Sequence, residues 1–162
     1  MIVIALYGST NTGKTTTLNL VAESLIKSGV SVLKQVDVNE FDRRYSLVLH
    51  DGLKICITTI GDNEVIQREN IRFVIGQAPD IWITATRSKG GSTGPLHELL
   101  VSHLSEKTVW VKKQSATIII QDLNRYEYVC DEPKLFRDSI CGRMNRIDAD
   151  RILNMLSFGV VD

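Results

Sequence analysis

Two rhythms of apolar and polar residues alternate along this chain. Ile2 to Tyr7 is a nearly unbroken apolar run, the pattern of a strand covered on both faces. Thr15 to Lys27 sets Leu18, Leu20, Val21, Leu25 and Ile26 at helical spacing, and Ser28-Gly29 supplies the stop. Ser31 to Val36 reads as a second short strand. Arg44 to His50, the dipeptide Asp51-Gly52 and Leu53 to Thr59 give a hairpin signal, because Asp-Gly tolerates the positive φ of a type I′ turn. One arm is expected at an antiparallel edge. The other, apolar at the consecutive positions Ile55, Cys56 and Ile57, is expected inside the sheet.

The helical rhythm returns from Asn63 to Gln77 with Val65, Ile66, Ile71, Val74 and Ile75, and Gly76, Ala78 and Pro79 punctuate its end. Asp80 to Thr86 is a strand, Pro95 to Leu104 a helix, and Lys107 to Lys112 a further strand. Ala116 to Tyr128 begins with the run Thr117 to Ile120 but lacks clean alternation, so helix and strand both stay open there. Glu132 to Arg143 and Asp148 to Phe158 read as two helices over one face of the sheet, the second capped by Asp148. The alternation is that of an α/β fold with a mainly parallel sheet and an antiparallel hairpin edge over 44–59.

Composition narrows the class. At 162 residues, without repeat, linker or low-complexity tract, one domain spanning 1–162 is expected. Lysine plus arginine equal aspartate plus glutamate, 19 against 19, so no global positive field points to nucleic acid. Cys56, Cys130 and Cys141 are odd in number and lack C-x-x-C spacing, which argues against disulfide or zinc frameworks and for reduced thiols. No apolar run reaches the roughly eighteen residues of a membrane span, and no charged leader precedes the first strand, so a cytoplasmic protein is expected.

The chemistry concentrates just after the first strand. Gly8, Ser9, Thr10, Asn11, Thr12, Gly13, Lys14 and Thr15 form a G-x-x-x-x-G-K-[ST] pattern between a strand and a helix. Glycines let successive backbone N–H groups turn around phosphate oxygens, and a helix start leaves further N–H groups unpaired. Lys14 is expected to reach the β- and γ-phosphates and Thr15 to ligate Mg²⁺.

This stretch resembles the Walker A loop of the P-loop NTPase superfamily. The resemblance implies a three-layer fold with a triphosphate at the carboxyl end of the first strand, and it places Thr16 near the α-phosphate. ATP is the expected nucleotide and GTP the less favoured one, because the guanine-reading N-K-x-D is absent.

A cation at such a site needs acidic support. Asp62, at the end of the apolar strand, has the loose Walker B form and is the expected metal carboxylate; an N-cap role for the following helix is the alternative. Asp37 is the second candidate, whereas Asp80 precedes its strand and is expected to be structural. Between Asp37 and Arg44, Asp37 or Asp42 could take an acceptor proton and Arg43 or Arg44 hold an anion, against the plainer reading of a solvated loop. Arg87 opens the loop Thr86 to Gly94, rich in glycine, hydroxyls and cations, and is the expected partner of the transferring phosphoryl group, with Lys89 in a moving lid.

His50, His97 and His103 form no metal set, Lys112-Lys113 would flank the base, and Trp82 and Trp110 are expected in the core. The expected activity is Mg²⁺-dependent ATP hydrolysis or phosphoryl transfer to a small acceptor. The alternative is a nucleotide-dependent switch read by a protein partner. The acceptor, the partner and the oligomeric state are not encoded in any pattern here.

Overall fold

The computed structural model describes residues 1–88, 93–101, 107–113 and 133–157. Within them the chain runs β1 (Ile2–Gly8), α1 (Lys14–Lys27), β2 (Ser31–Asp37), β3 (Arg43–Val48), β4 (Lys54–Thr58), α2 (Glu64–Gln77), β5 (Ile81–Arg87), α3 (Thr93–Val101), β6 (Lys107–Lys112) and α4 (Pro133–Ser157). The strands form one six-stranded sheet in the order β2-β3-β4-β5-β1-β6. β4, β5, β1 and β6 pair in parallel, and β3 runs antiparallel to both β2 and β4. The fold is α/β, with a mixed sheet between helices.

Period-two alternation sorts the core into two layers. On one face Ile4 and Leu6 of β1, Ile55 and Ile57 of β4, and Ile81, Ile83 and Ala85 of β5 pack with Leu18, Val21, Ala22 and Leu25 of α1 and with Ala149 and Ile152 of α4. On the other face Val3, Ala5, Cys56 and Trp82 pack with Val74 of α2 and with Leu96 and Leu99 of α3. The consecutive apolar residues of β1, β4 and β5 are thus explained by helices on both sides. Trp82 also needs a polar partner: its Nε1–H donates to Thr58 Oγ1 at 3.0 Å, and Thr58 Oγ1 donates to Thr84 Oγ1 at 2.9 Å. Burial pushes the Cys56 thiol up to about 11, so it remains an inert core residue.

Five expectations need correction. The hairpin 44–59 is not the sheet edge: β2 covers the outer side of β3, is exposed over nearly its whole length, and carries a register shift between Val32 and Lys34 of the kind that blunts free edges. Nor is its turn type I′, since Asp51 is not among the positive-φ residues. Gly52, at φ 89°, donates its N–H to Leu49 O at 3.0 Å, and Leu49 N–H donates to Leu53 O at 2.8 Å. That is a three-residue loop with a left-handed glycine closing it.

The two helices expected near the carboxyl end are one helix, α4, because no breaker interrupts Met144 to Ile147. Asp148 therefore caps nothing. Trp110 is 49% exposed, because β6 is the second sheet edge; it stands edge-on to Tyr7 with centroids 6.1 Å apart. The expectations for Lys89 to Ser92, His103, Ala116 to Tyr128 and Cys130 lie outside the described residues. Among the described residues, no helix is long and apolar enough to cross a membrane.

Candidate functional site

β1 ends at Gly8, and the chain turns through Ser9 to Gly13 before α1 begins at Lys14. The turn uses left-handed backbone at Asn11 (φ 59°) and at Gly13 (φ 82°), which holds the cap position of α1 without any side-chain cap. The first N–H groups of α1 consequently have no intrahelical acceptor. Thr12 Oγ1 donates to Ser9 O at 2.9 Å and closes the turn from within. Lys14 folds back over it: Nζ donates to Ser9 O at 2.7 Å and to Gly8 O at 3.3 Å, and the side chain is buried. Burial lowers the Lys14 pKa, opposed by the charge of Asp62 and assisted by that of Arg87.

Two glycines are closely approached by neighbours distant in sequence. A Cβ on Gly13 would collide with Asn145 Oδ1 of α4, and one on Gly8 would lie 3.1 Å from Lys113 Cβ. Asn145 Oδ1 also accepts a long bond from Thr17 Oγ1 at 3.5 Å. Three residues further along α4, Asp148 Oδ2 meets Lys113 Nζ at 2.6 Å, with both side chains buried. Lys113 is thus committed to a buried ion pair with α4, while Lys112 beside it is exposed at the end of β6.

Asn11 to Thr15, Thr59, Gly61, Asp62 and Ala85 line a cavity of about 180 Å³. It opens at the carboxyl ends of β1, β4 and β5. The chain leaves β1 through α1 toward β2 but leaves β5 through α3 toward β6, on the other side of β1. Such a reversal of direction is where open α/β sheets leave a crevice for ligands. At this size the cavity suits a small anionic group, since whole drug-sized ligands need about 300 Å³ or more.

Two walls flank the loop. The first is the tip between β2 and β3. Asp42 Oδ1 accepts from Thr15 Oγ1 at 3.0 Å, an alternative to Thr59 O at 3.3 Å for the same hydroxyl proton. Asp42 Oδ2 accepts from Asn39 Nδ2 at 2.8 Å, and Asn39 Oδ1 accepts from the N–H groups of Phe41 and Asp42, each at 2.9 Å. Asn19 Nδ2 of α1 donates to Phe41 O at 2.8 Å and ties the tip to the helix.

The second wall is made of strand ends. Gly61 passes so close to β5 that any Cβ would overlap the Ala85 carbonyl. Asp62 Oδ1 pairs with Arg87 Nε at 3.4 Å, with both side chains more than a third exposed. Arg87 lies opposite Gly8 in the register of β1 and β5, which brings its side chain to the loop. Asn63, not Asp62, caps α2: its Oδ1 accepts from Ile66 N at 2.9 Å.

The structure therefore gathers Asn11 to Thr15 and Asp62 around one cavity, with Gly8 to Thr10 leading into it from β1 and Arg87 paired to Asp62. Thr16 is exposed on α1, one residue beyond Thr15. The remaining candidates go elsewhere. Asp37 is exposed and pairs with Arg43 at 3.1 Å. Arg44 is taken up by α2, donating to Asn70 Oδ1 at 2.8 Å and to Glu69 Oε2 at 2.9 Å, so it is not available to an acceptor. Asp80 fastens the start of β4 by accepting from Lys54 N at 2.8 Å. His50 meets Ser28 O at 3.2 Å, far from the loop in the fold, and His97 is exposed on α3. Among the described residues no cluster of three or more His, Cys, Asp or Glu side chains could hold a metal by itself.

Sequence reasoning weighed Asp42 only as a proton acceptor and missed its bond to Thr15. It also missed Asn145, for which no local pattern exists. Compared with protein-family models, with curated proteins and with solved structures, the chain matches none.

Proposed function

We propose that this chain is a P-loop nucleoside-triphosphate-binding protein that takes ATP with a divalent cation and hydrolyses or transfers its terminal phosphoryl group. The observation that carries the reading is Lys14: a buried ammonium held on carbonyls of its own loop, at the mouth of a polar cavity at the carboxyl end of the first strand. In the proposed complex Lys14 exchanges the Ser9 and Gly8 carbonyls for phosphate oxygens, a replacement of weak dipoles by formal charges. The turn around Asn11 and Gly13 and the first turn of α1 offer backbone N–H groups to the phosphates. Arg87 lies beside Asp62 at the rim and offsets charge that grows on the phosphoryl oxygens.

The donor set beside the loop consists of hard oxygens, the Thr15 hydroxyl with the Asp42 and Asp62 carboxylates nearby, and suits Mg²⁺ rather than a softer metal. When bound, the cation would supply charge neutralisation between phosphates. Phosphoryl transfer needs positioning and electrostatics and no covalent nucleophile, and the residues named are sufficient for that. The bond between Thr15 and Asp42 favours a second reading. It ties the β2–β3 tip to the proposed cation site, so a protein partner at that tip would sense the nucleotide state.

A thermal-shift series tests the proposal. ATP with Mg²⁺ at about a hundred times its Kd should stabilise the chain by ~2.7 kcal/mol, and Lys14→Ala should remove most of that gain without unfolding the ligand-free protein. GTP should shift it less. No shift with any nucleoside triphosphate rejects the reading.

A further inference from the structure

We infer that Asp42, not Asp62, is the carboxylate that positions Thr15 for the divalent cation; this rests on the triphosphate reading above. A threonine hydroxyl has one proton and two lone pairs. To ligate a cation it must aim a lone pair at the metal and give its proton to something else. Asp42 Oδ1 takes that proton at 3.0 Å. A carboxylate in that role orients the ligating oxygen and raises its basicity, as partners behind metal ligands do generally. It also brings a negative charge close to the cation without occupying a coordination position, which suits an ion that keeps several waters.

The surroundings of Asp42 fit a fixed role. Its second oxygen accepts from Asn39 Nδ2, the tip is closed by Asn39 Oδ1 and by the Val38 N–H to Asp42 O bond at 2.8 Å, and Asn19 anchors Phe41. Asp62 is differently placed. It faces Arg87 at 3.4 Å and opposes the lowering of the Lys14 pKa, so its charge balances two cations in the wall. Asp42 is accordingly a positioning residue that acts through Thr15, and Asp62 sets the state of the cationic side chains that meet phosphate.

Calorimetric ATP titrations of the full chain, in EDTA and in Mg²⁺, separate these roles. Wild type should bind ATP in both and more tightly with Mg²⁺. Asp42→Asn should lose about tenfold to a hundredfold of the Mg²⁺-dependent gain, while its affinity in EDTA stays unchanged. Asn39→Ala loosens the tip but keeps the charge, so it should retain the gain; Asp62→Asn should alter both titrations by similar factors. Asp42→Ala provides a second variant if the asparagine destabilises the fold, which melting curves will report. The inference is overturned if Asp42→Asn keeps the full gain, if Asp62→Asn alone abolishes it, or if Asn39→Ala loses as much as Asp42→Asn. Absence of ATP binding by wild type in both buffers rejects the triphosphate reading itself, and this inference with it.

Discussion

The two walls that flank the loop, the β2–β3 tip and the strand ends, hold their acids by different means. At the tip, Asp42 is fixed by side-chain hydrogen bonds from Thr15 and Asn39, and Asn19 adds a further tie from α1 to Phe41 O. At the strand ends, position is set by backbone: Gly61 is pressed against the Ala85 carbonyl, and Asp62 follows it directly. Sterics of this kind are all or none, whereas a set of exposed hydrogen bonds each worth about 1 kcal/mol opens gradually. The strand-end wall is therefore built to stay put, and the tip is the part that can respond to what binds.

Three substitutions probe that contrast. Gly61→Ala should have the largest effect: the new methyl group meets a β5 backbone that cannot retreat without breaking its pairing with β4 and β1. A loss of about 3 kcal/mol in chemical denaturation is expected, at the upper end of the usual range for overpacking. Unchanged stability would mean that the strand-end wall yields and that the contrast is wrong.

Arg87→Ala comes next and should act on chemistry. Its ion pair with Asp62 is more than a third exposed and contributes little to stability. Turnover of ATP should nevertheless fall about a hundredfold, with a smaller loss of ATP affinity, because charge on the phosphoryl oxygens grows toward the transition state. Lysine should rescue poorly, lacking the planar fork. Equal losses in affinity and turnover would make Arg87 a ground-state binding group.

Asn19→Ala should have the smallest effect. It removes the bond to Phe41 O, but it also removes Asn19 Oδ1, a buried atom without a hydrogen-bond partner among the described residues. The two consequences offset, and a change below about 1 kcal/mol is expected. Faster amide hydrogen exchange confined to Val38 to Asp42 would show the tip loosening by itself. Exchange spreading into β4 would unite the two walls into one cooperative unit.

The parts of this architecture that were legible in the sequence are those with local causes. The apolar period of β1, β4 and β5, the glycine stop after α1 and the turn before α1 each depend on neighbouring residues alone. Strand order does not, so the hairpin was expected at an edge that β2 in fact occupies. Asp148 looked like a cap because its role depends on Lys113, 35 residues away, which no helical pattern reveals. For Asp62 the strand leading into it placed the acid at the cavity. For Asp42 a mixed-charge loop gave no sign of which side chain would reach Thr15, since that choice is made by the β2–β3 turn and by Asn39.

The packing of Asn145 against Gly13 has a consequence for the order in which the protein is made. The loop at 8–15 is made well before its neighbour on α4, which follows 128 residues after Thr17, on the order of ten seconds later at ordinary rates of synthesis. Until α4 docks, Asn145 is not yet against the loop and the pair between Lys113 and Asp148 is not yet made. Contacts that span so much of the chain slow folding relative to chains dominated by local contacts. A nascent chain would complete the surroundings of its proposed nucleotide site only once α4 is made and docked.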